Sequence, residues 1–189
     1  MDDDLAATHR REGLAFLAGF TLCIPTANWL IGNVGTVCVP EGPCLIPVAP
    51  SIMAPSGVLM IGLALVLRDL VQRRLGLQWA VAAIFFGAVL SAFLAPPALV
   101  VASATAFLLS EMADLGVYTP LQRRRLMLAV VASSIVGLVV DSIVFLYLAF
   151  GSLDFLRGQV IGKAWMVLLA LPFVRWLRLR DQRLGLAAA

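Results

Sequence analysis

Residues 103–125 read SATAFLLSEMADLGVYTPLQRRR. Between residues 98 and 121 the only charged side chains are Glu111 and Asp114, and the arginine block Arg123, Arg124 and Arg125 follows at once. A stretch of about 20 apolar residues is long enough to cross a bilayer as a helix, and a basic block at its end marks the side that stays in the cytoplasm. Five further stretches have the same character, at 13–34, 52–72, 78–95, 126–150 and 158–176. Of the 189 residues, 61% are hydrophobic and 13% charged, and the mean hydropathy is +0.98. Soluble domains are nearer half apolar and a quarter charged, so lipid has to cover what this chain cannot bury. The expected fold class is an all-α integral membrane protein, a bundle of six transmembrane helices.

Basic residues alternate from one connection to the next. His9, Arg10 and Arg11 precede the first span, and Arg73 and Arg74 close the second. Arg123, Arg124 and Arg125 separate the fourth and fifth, and Arg175, Arg178, Arg180 and Arg183 follow the sixth. The other loops hold only Glu41, an "APP" run, and Asp154 with Arg157. The positive-inside rule then places both termini in the cytoplasm. The net charge of +3 is accordingly a topology signal and gives no reason to expect nucleic acid as a partner. The first span is too long for a signal-peptide core and lacks a small-residue cleavage site, so it reads as retained. The domain plan is a single transmembrane unit over 1–189, with cytoplasmic tails at 1–12 and 177–189. Residues 35–51, GTVCVPEGPCLIPVAPS, carry four prolines, which resist regular helix. They read as an external cap or gate that folds back over the bundle. Cys38 and Cys44 share this loop, where an oxidising exterior can bridge them; a disulfide and two free thiols both stay open. No histidine stands beside them, and no metal site is expected. Cys23, inside the first span, reads as a small packing residue.

A charge at mid-bilayer costs about 2.5–3.5 kcal/mol on insertion scales, so those retained tend to face a cavity, a partner or a path. The intramembrane set is Asp69, Glu111, Asp114, Asp141 and Lys163, with Asn28 and Gln159 as neutral companions. Arg68 is expected to snorkel to the cytoplasmic interface. At 100° per residue, Ser103, Phe107, Glu111, Asp114 and Tyr118 form one stripe, and Ser134, Gly137, Asp141 and Phe145 another. Gln159, Lys163 and Met166 align on the sixth span, and Thr21, Pro25, Asn28 and Gly32 on the first. Depth matching at 1.5 Å per residue puts Asp141 about 14 Å and Lys163 about 8 Å below the outer ends of their helices, within reach of an ion pair. Asp69 has Arg73 one turn away as a simple partner. Glu111 and Asp114 share a face with no base assigned to each. That predicts either a proton held on one of them or a cationic, donor-rich guest.

These residues lie in motifs that resemble the queuosine precursor transporter family, also labelled vitamin uptake transporters. The carriers are ANWL (27–30), RDLVQRRLG (68–76), SEMADLGVYTPLQRRR (110–125), GLVVDSIVFLYLAF (137–150) and GQVIGKAWMVLLALP (158–172). The resemblance implies a multi-pass protein of the bacterial inner membrane that imports 7-cyano- or 7-aminomethyl-7-deazaguanine for tRNA modification. By similarity Asn28, Asp69, Asp114, Asp141 and Lys163 fall on recurrent polar positions. The chain departs from the family at Tyr118, often Phe there, at Glu111, often neutral, and in its proline-rich first loop.

A deazaguanine edge offers two adjacent donors to one carboxylate, and its rings stack on aromatics for about 1–3 kcal/mol. The expected substrate-binding set is Asn28, Phe107, Glu111, Asp114, Tyr118, Asp141, Phe145, Gln159 and Lys163, with Glu111 or Asp114 on the guanine-like edge. Trp29 is a further stacking candidate. Asp69, Glu111, Asp141 and Lys163 are the candidates for gating or proton coupling. Alternatives are a substrate-binding membrane subunit of an ATP-driven vitamin importer, and a carrier of another planar vitamin or purine. An enzyme is disfavoured: there is no H-E-x-x-H or G-x-S-x-G, and only the pair Asp114 and Asp141 imitates an aspartyl dyad. No cofactor is expected. The expected partners are a planar base and the lipid bilayer. Gly158 and Gly162 are spaced for close helix contact, within one chain or across a homodimer.

Overall fold

The computed structural model describes residues 2–40 and 42–184; Glu41 and the last residues of the C-terminal tail lie outside the described residues. Six α-helices account for most of the chain: α1 (Asp2–Asn33), α2 (Val58–Leu75), α3 (Leu77–Leu94), α4 (Val100–Leu121), α5 (Leu126–Phe150) and α6 (Leu156–Leu184). The two terminal segments continue α1 and α6 as helix. Glu12 and Arg180 meet at 2.6 Å, so both termini lie at one end of the bundle. Large apolar side chains such as Leu22, Phe86, Val101, Tyr147 and Leu169 cover the outside, while Arg68, Asp69, Glu111, Asp114 and Lys163 are buried. That arrangement is the inverse of a soluble domain and suits a hydrocarbon solvent.

Among the described residues five helices, not six, are long and apolar enough to cross a membrane by themselves: α1 (from Ala7), α3, α4 with its preceding 3-10 turn, α5 and α6. The expected span at 52–72 is the one that differs. Its first residues form a strand, and its helix starts later, at Val58, and carries Arg68, Asp69, Arg73 and Arg74. No residue of α2 is exposed. The other helices surround it, with α1 and α6 packing along it most extensively. A helix shielded from lipid in this way can hold charges that a lipid-facing helix cannot. Gly76 alone joins α2 to α3, and its φ of 91° is open to glycine but strained for other residues.

The proline-rich segment is a three-stranded antiparallel sheet, β1 (Val37–Cys38), β2 (Cys44–Ala49) and β3 (Ile52–Pro55), in the order β1-β2-β3. Cys38 is opposite Cys44 in the register, and the two are joined by a disulfide. Pro47, on the central strand, sits beside the irregularity between Pro47 and Ala49, where a missing N–H is tolerated. The sheet lies along the first turns of α6: a side chain at Gly158 would collide with the Met53 carbonyl, and Trp165 donates to the Val48 carbonyl at 2.9 Å. It is tied to α1 through Ser56, whose hydroxyl donates to the Leu30 carbonyl at 2.7 Å. Gly162 faces Val58 and Val48, so the close contacts made by Gly158 and Gly162 lie within this chain.

Candidate functional site

Under the sheet, a cavity of about 70 Å³ opens between all six helices, α3 contributing only Ser91. Its wall includes Asn28, Phe107, Asp141, Phe145, Gln159 and Lys163, six of the nine side chains expected to bind substrate. Pro55, Val58, Ile61, Ser91 and Ser103 complete much of the rest. Trp29 is more than half exposed and faces away. The buried Ser91 was missed in the sequence; a lone hydroxyl in the otherwise apolar α3 was the available signal.

Lys163 spends all three of its N–H donors on this wall: Asp141 Oδ2 at 2.5 Å, Gln159 Oε1 at 2.6 Å and Ser142 Oγ at 2.9 Å. Gln159 and Lys163 are one turn apart on α6, and Asp141 and Ser142 adjoin on α5, so the pair crosses the α5–α6 seam. A lysine and an aspartate buried together are neutral as a unit, which lowers the cost of keeping either out of water. Asp141 Oδ1 takes no hydrogen bond among the described residues. Asn28 donates Nδ2 to the Ile24 carbonyl at 2.9 Å, which leaves its Oδ1 as a second acceptor. Phe107 and Phe145 supply flat apolar surface from α4 and α5. The close approach of α2 to α6 fixes the floor: a Cβ at Gly62 would stand 2.5 Å from the Lys163 carbonyl oxygen.

Glu111, Asp114 and Tyr118 do not line this cavity. They belong to a second cluster, about 10 Å further along α2 from Ile61 at 1.5 Å per residue. Arg68, expected to snorkel, is instead fully buried at its centre. Its Nε donates to Glu111 Oε2 at 3.0 Å, its Nη2 to Asp114 Oδ1, and its Nη1 to Gln72 Oε1 at 3.3 Å. Nη1 also lies 2.9 Å from Asp69 Oδ1. That contact is close but not aligned as a hydrogen bond, since Asp69 Oδ1 has no hydrogen-bond partner. Ser133 donates to Asp69 Oδ2 at 3.0 Å, and the Tyr118 ring lies 5.7 Å from the guanidinium carbon. The base that the sequence did not supply for Glu111 and Asp114 is therefore Arg68. The flat, forked guanidinium suits this task, since one cation can reach carboxylates in several directions.

The expected Asp69–Arg73 pairing is likewise replaced. Arg73 and Arg74 both donate to Asp181 of α6, at 2.8 Å from each nearer nitrogen. Arg74 Nε also reaches Glu12 of α1 at 2.8 Å. Asp181 is buried, and this third cluster closes the terminal end of the bundle across α1, α2 and α6. Sequence reasoning missed Glu12 and Asp181 because both lie in segments taken for tails. Among the described residues, no His, Cys, Asp and Glu are grouped to hold a metal ion.

Three charged or polar tiers thus stack along one shielded helix, beneath a capped cavity. Buried charges inside a lipid-facing shell are the kind that mark substrate or ion sites in membrane proteins. Residues 88–177 match a family described as putative vitamin uptake transporter. The match covers α4 and α5 completely, most of α6 and the end of α3, and so includes Phe107, Glu111, Asp114, Asp141, Phe145 and Lys163. It points to membrane transport by a multi-pass protein. No curated protein and no solved structure matches the chain.

Proposed function

We propose that the chain is an inner-membrane carrier importing queuosine precursors, 7-cyano- or 7-aminomethyl-7-deazaguanine, with both termini in the cytoplasm. The observation that carries this reading is the cavity wall, which brings the neutral Asp141–Lys163 pair together with Asn28, Phe107 and Phe145. The rings of a deazaguanine stack against the phenylalanines. Its ring N–H and exocyclic amine are donors for the unpartnered Asp141 oxygen and for Asn28 Oδ1. Its carbonyl oxygen is an acceptor for Lys163, whose bonds to Gln159 and Ser142 can be exchanged for it. The uncharged 7-cyano base suits a site whose own charges already cancel, because no net charge has to be desolvated with it, whereas the 7-aminomethyl base would bring a cation. Pockets for drug-sized ligands run from about 300 Å³ upward, so the cavity at its present size corresponds to a contracted state, and entry of a base widens it.

The test is equilibrium binding to the purified full-length protein, comparing the two precursors with guanine and riboflavin. The expected result is preference for a deazaguanine, weakened at least about tenfold in Asp141→Asn, equivalent to 1.4 kcal/mol. Riboflavin binding in place of the precursors, or unchanged precursor affinity in both Asp141→Asn and Lys163→Met, refutes the assignment.

A further inference from the structure

The cluster around Arg68 contains more acid than base. Asp69, Glu111 and Asp114 carry three negative charges when ionised, against one positive charge on Arg68, and all four are buried. The surroundings do not make up the difference. From α2, Arg73 is committed to Asp181. From α5 come the Ser133 hydroxyl and Asp141, which is negative and already paired with Lys163 of α6. Residues 14–33 of α1 carry no charged side chain, and α3 contains none. The hydrogen-bond pattern repeats the imbalance. Asp69 Oδ1 and Asp114 Oδ2 are both buried acceptors without a hydrogen-bond donor. The two carboxyl groups are neighbours on one guanidinium, Asp69 Oδ1 at 2.9 Å from Nη1 and Asp114 Oδ1 on Nη2. Two carboxylates cannot bond to one another, since both are acceptors only; a carboxylic acid and a carboxylate can. The Tyr118 hydroxyl, fully buried against the same guanidinium, is a further polar group without a partner.

We propose that Asp69 and Asp114 share a bound proton, and that this is a coupling site: the chain carries one proton with each substrate molecule. In the step itself a hydronium donates H⁺ to one carboxylate oxygen, forming one O–H bond, and the proton leaves by the reverse reaction on the other side. Arg68 keeps its charge throughout. Glu111 is the entry, because it lies one helical turn from Phe107, which lines the substrate cavity. The shared proton ties Asp69 of α2 to Asp114 of α4, and its loss leaves two carboxylates repelling each other across that seam. Protonation therefore tightens the contact between α2 and α4 beside the cavity, and deprotonation loosens it. The proton site stands on the cluster alone, while the coupling rests on the transport reading given above.

The experiment has two arms on the full-length protein. In the first, infrared spectra of the substrate-free protein are recorded in H₂O and D₂O at neutral pH. A carboxylic-acid C=O stretching band that shifts in D₂O is expected, and it is lost on alkaline titration of the wild type, which requires no variant. Asp69→Asn and Asp114→Asn each abolish it, because removing either acid leaves the other paired with Arg68. Absence of the band in the wild type overturns the proposal; persistence in both variants moves the proton to Glu111 and overturns this assignment. In the second arm, precursor uptake is followed in liposomes under an imposed pH gradient. One-to-one coupling raises the accumulation ratio about tenfold per pH unit, and Asp69→Asn is expected to lose this response. Exchange without any gradient response overturns the coupling. If no precursor binds while the band stands, the transport reading fails and the proton site survives.

Discussion

Replacing Arg68 by Gln removes the one cation that holds three buried carboxylates. Gln retains polarity and about half the length, so the principal change is electrostatic. At an effective dielectric of 20, two unit charges 4 Å apart attract by about 4 kcal/mol, and Arg68 stands 2.9–3.0 Å from Asp69 and Glu111 and in direct contact with Asp114. The loss does not reach the sum of three such terms. Desolvation already offsets part of each, and the orphaned carboxylates can take up protons in place of the lost cation. Breaking a buried ion pair by removing one partner costs about 3–5 kcal/mol, which is the expected destabilisation at neutral pH. The assay is unfolding by titrated denaturing detergent, followed by tryptophan fluorescence in wild type, Arg68→Gln and Arg68→Lys. The sign with pH is the sharper part. Acid neutralises the carboxylates that the variant leaves unpaired, so the deficit of Arg68→Gln shrinks as pH falls from neutrality. Arg68→Lys falls between the two, because an ammonium keeps the charge but not the planar fork. A deficit under about 1 kcal/mol, the scale of an exposed ion pair, refutes the reasoning. A deficit independent of pH also refutes it, by assigning the loss to packing of the long side chain.

Gly62→Ala sets a new Cβ 2.5 Å from the Lys163 carbonyl oxygen and 2.8 Å from its Cα. Backbone has to give, at about 1–3 kcal/mol for overpacking, and precursor affinity should fall with stability because Lys163 is pushed from Asp141. Asp181→Asn removes the charge that Arg73 and Arg74 share; a loss of roughly 3–5 kcal/mol is expected in the same unfolding assay. Replacing Cys38 and Cys44 together by Ser opens a short loop whose closure contributes about 2 kcal/mol in the chain-entropy account. The change should lower the melting temperature of the unreduced protein and leave that of the reduced protein where it is.

The helices that face lipid were legible because hydrophobic length alone decides them; α1, α3, α4, α5 and α6 fall close to their expected positions. The Asp141–Lys163 pair was legible from depth, since α5 and α6 are consecutive, antiparallel and joined by a short turn. Neither kind of signal reaches α2. Its charges follow from being surrounded by other helices, and the sequence of one helix does not state how its neighbours are arranged. Arg68 was read with Arg73 and Arg74 as part of a basic end, although it lies seven residues, about 10 Å, before the last residue of α2. Asp69 beside it was the clue that the position is internal, because an interfacial arginine needs no adjacent acid. The sheet stayed hidden for a different reason. Its prolines ruled out helix correctly, but they also interrupt the alternation by which a strand is recognised. Glu111 and Asp114 were found by their charge, and their partner stayed hidden because it comes from a helix about forty residues earlier in the chain.

One helix therefore connects everything that a substrate would meet. Along α2, Val58 and Ile61 line the cavity, Gly62 abuts the backbone of α6, Arg68 gathers acids from α2 and α4, and Arg73 and Arg74 reach Asp181 of α6. An α-helix is stiff over 18 residues, so α2 cannot move away from Lys163 without changing its angle or depth at Arg68 as well. Widening the cavity to admit a bicyclic base thus draws on the same movement that loosens the Arg68 cluster. A path that opened at one tier only would need α2 to bend, and it has no proline within it to serve as a hinge. The buried charges then act as an ordered set of latches on a single rod. In the transport and coupling proposed above, substrate would bear on the first at Lys163 and a proton on the second at Asp69 and Asp114, while the third, at Asp181, holds the terminal end of the bundle together.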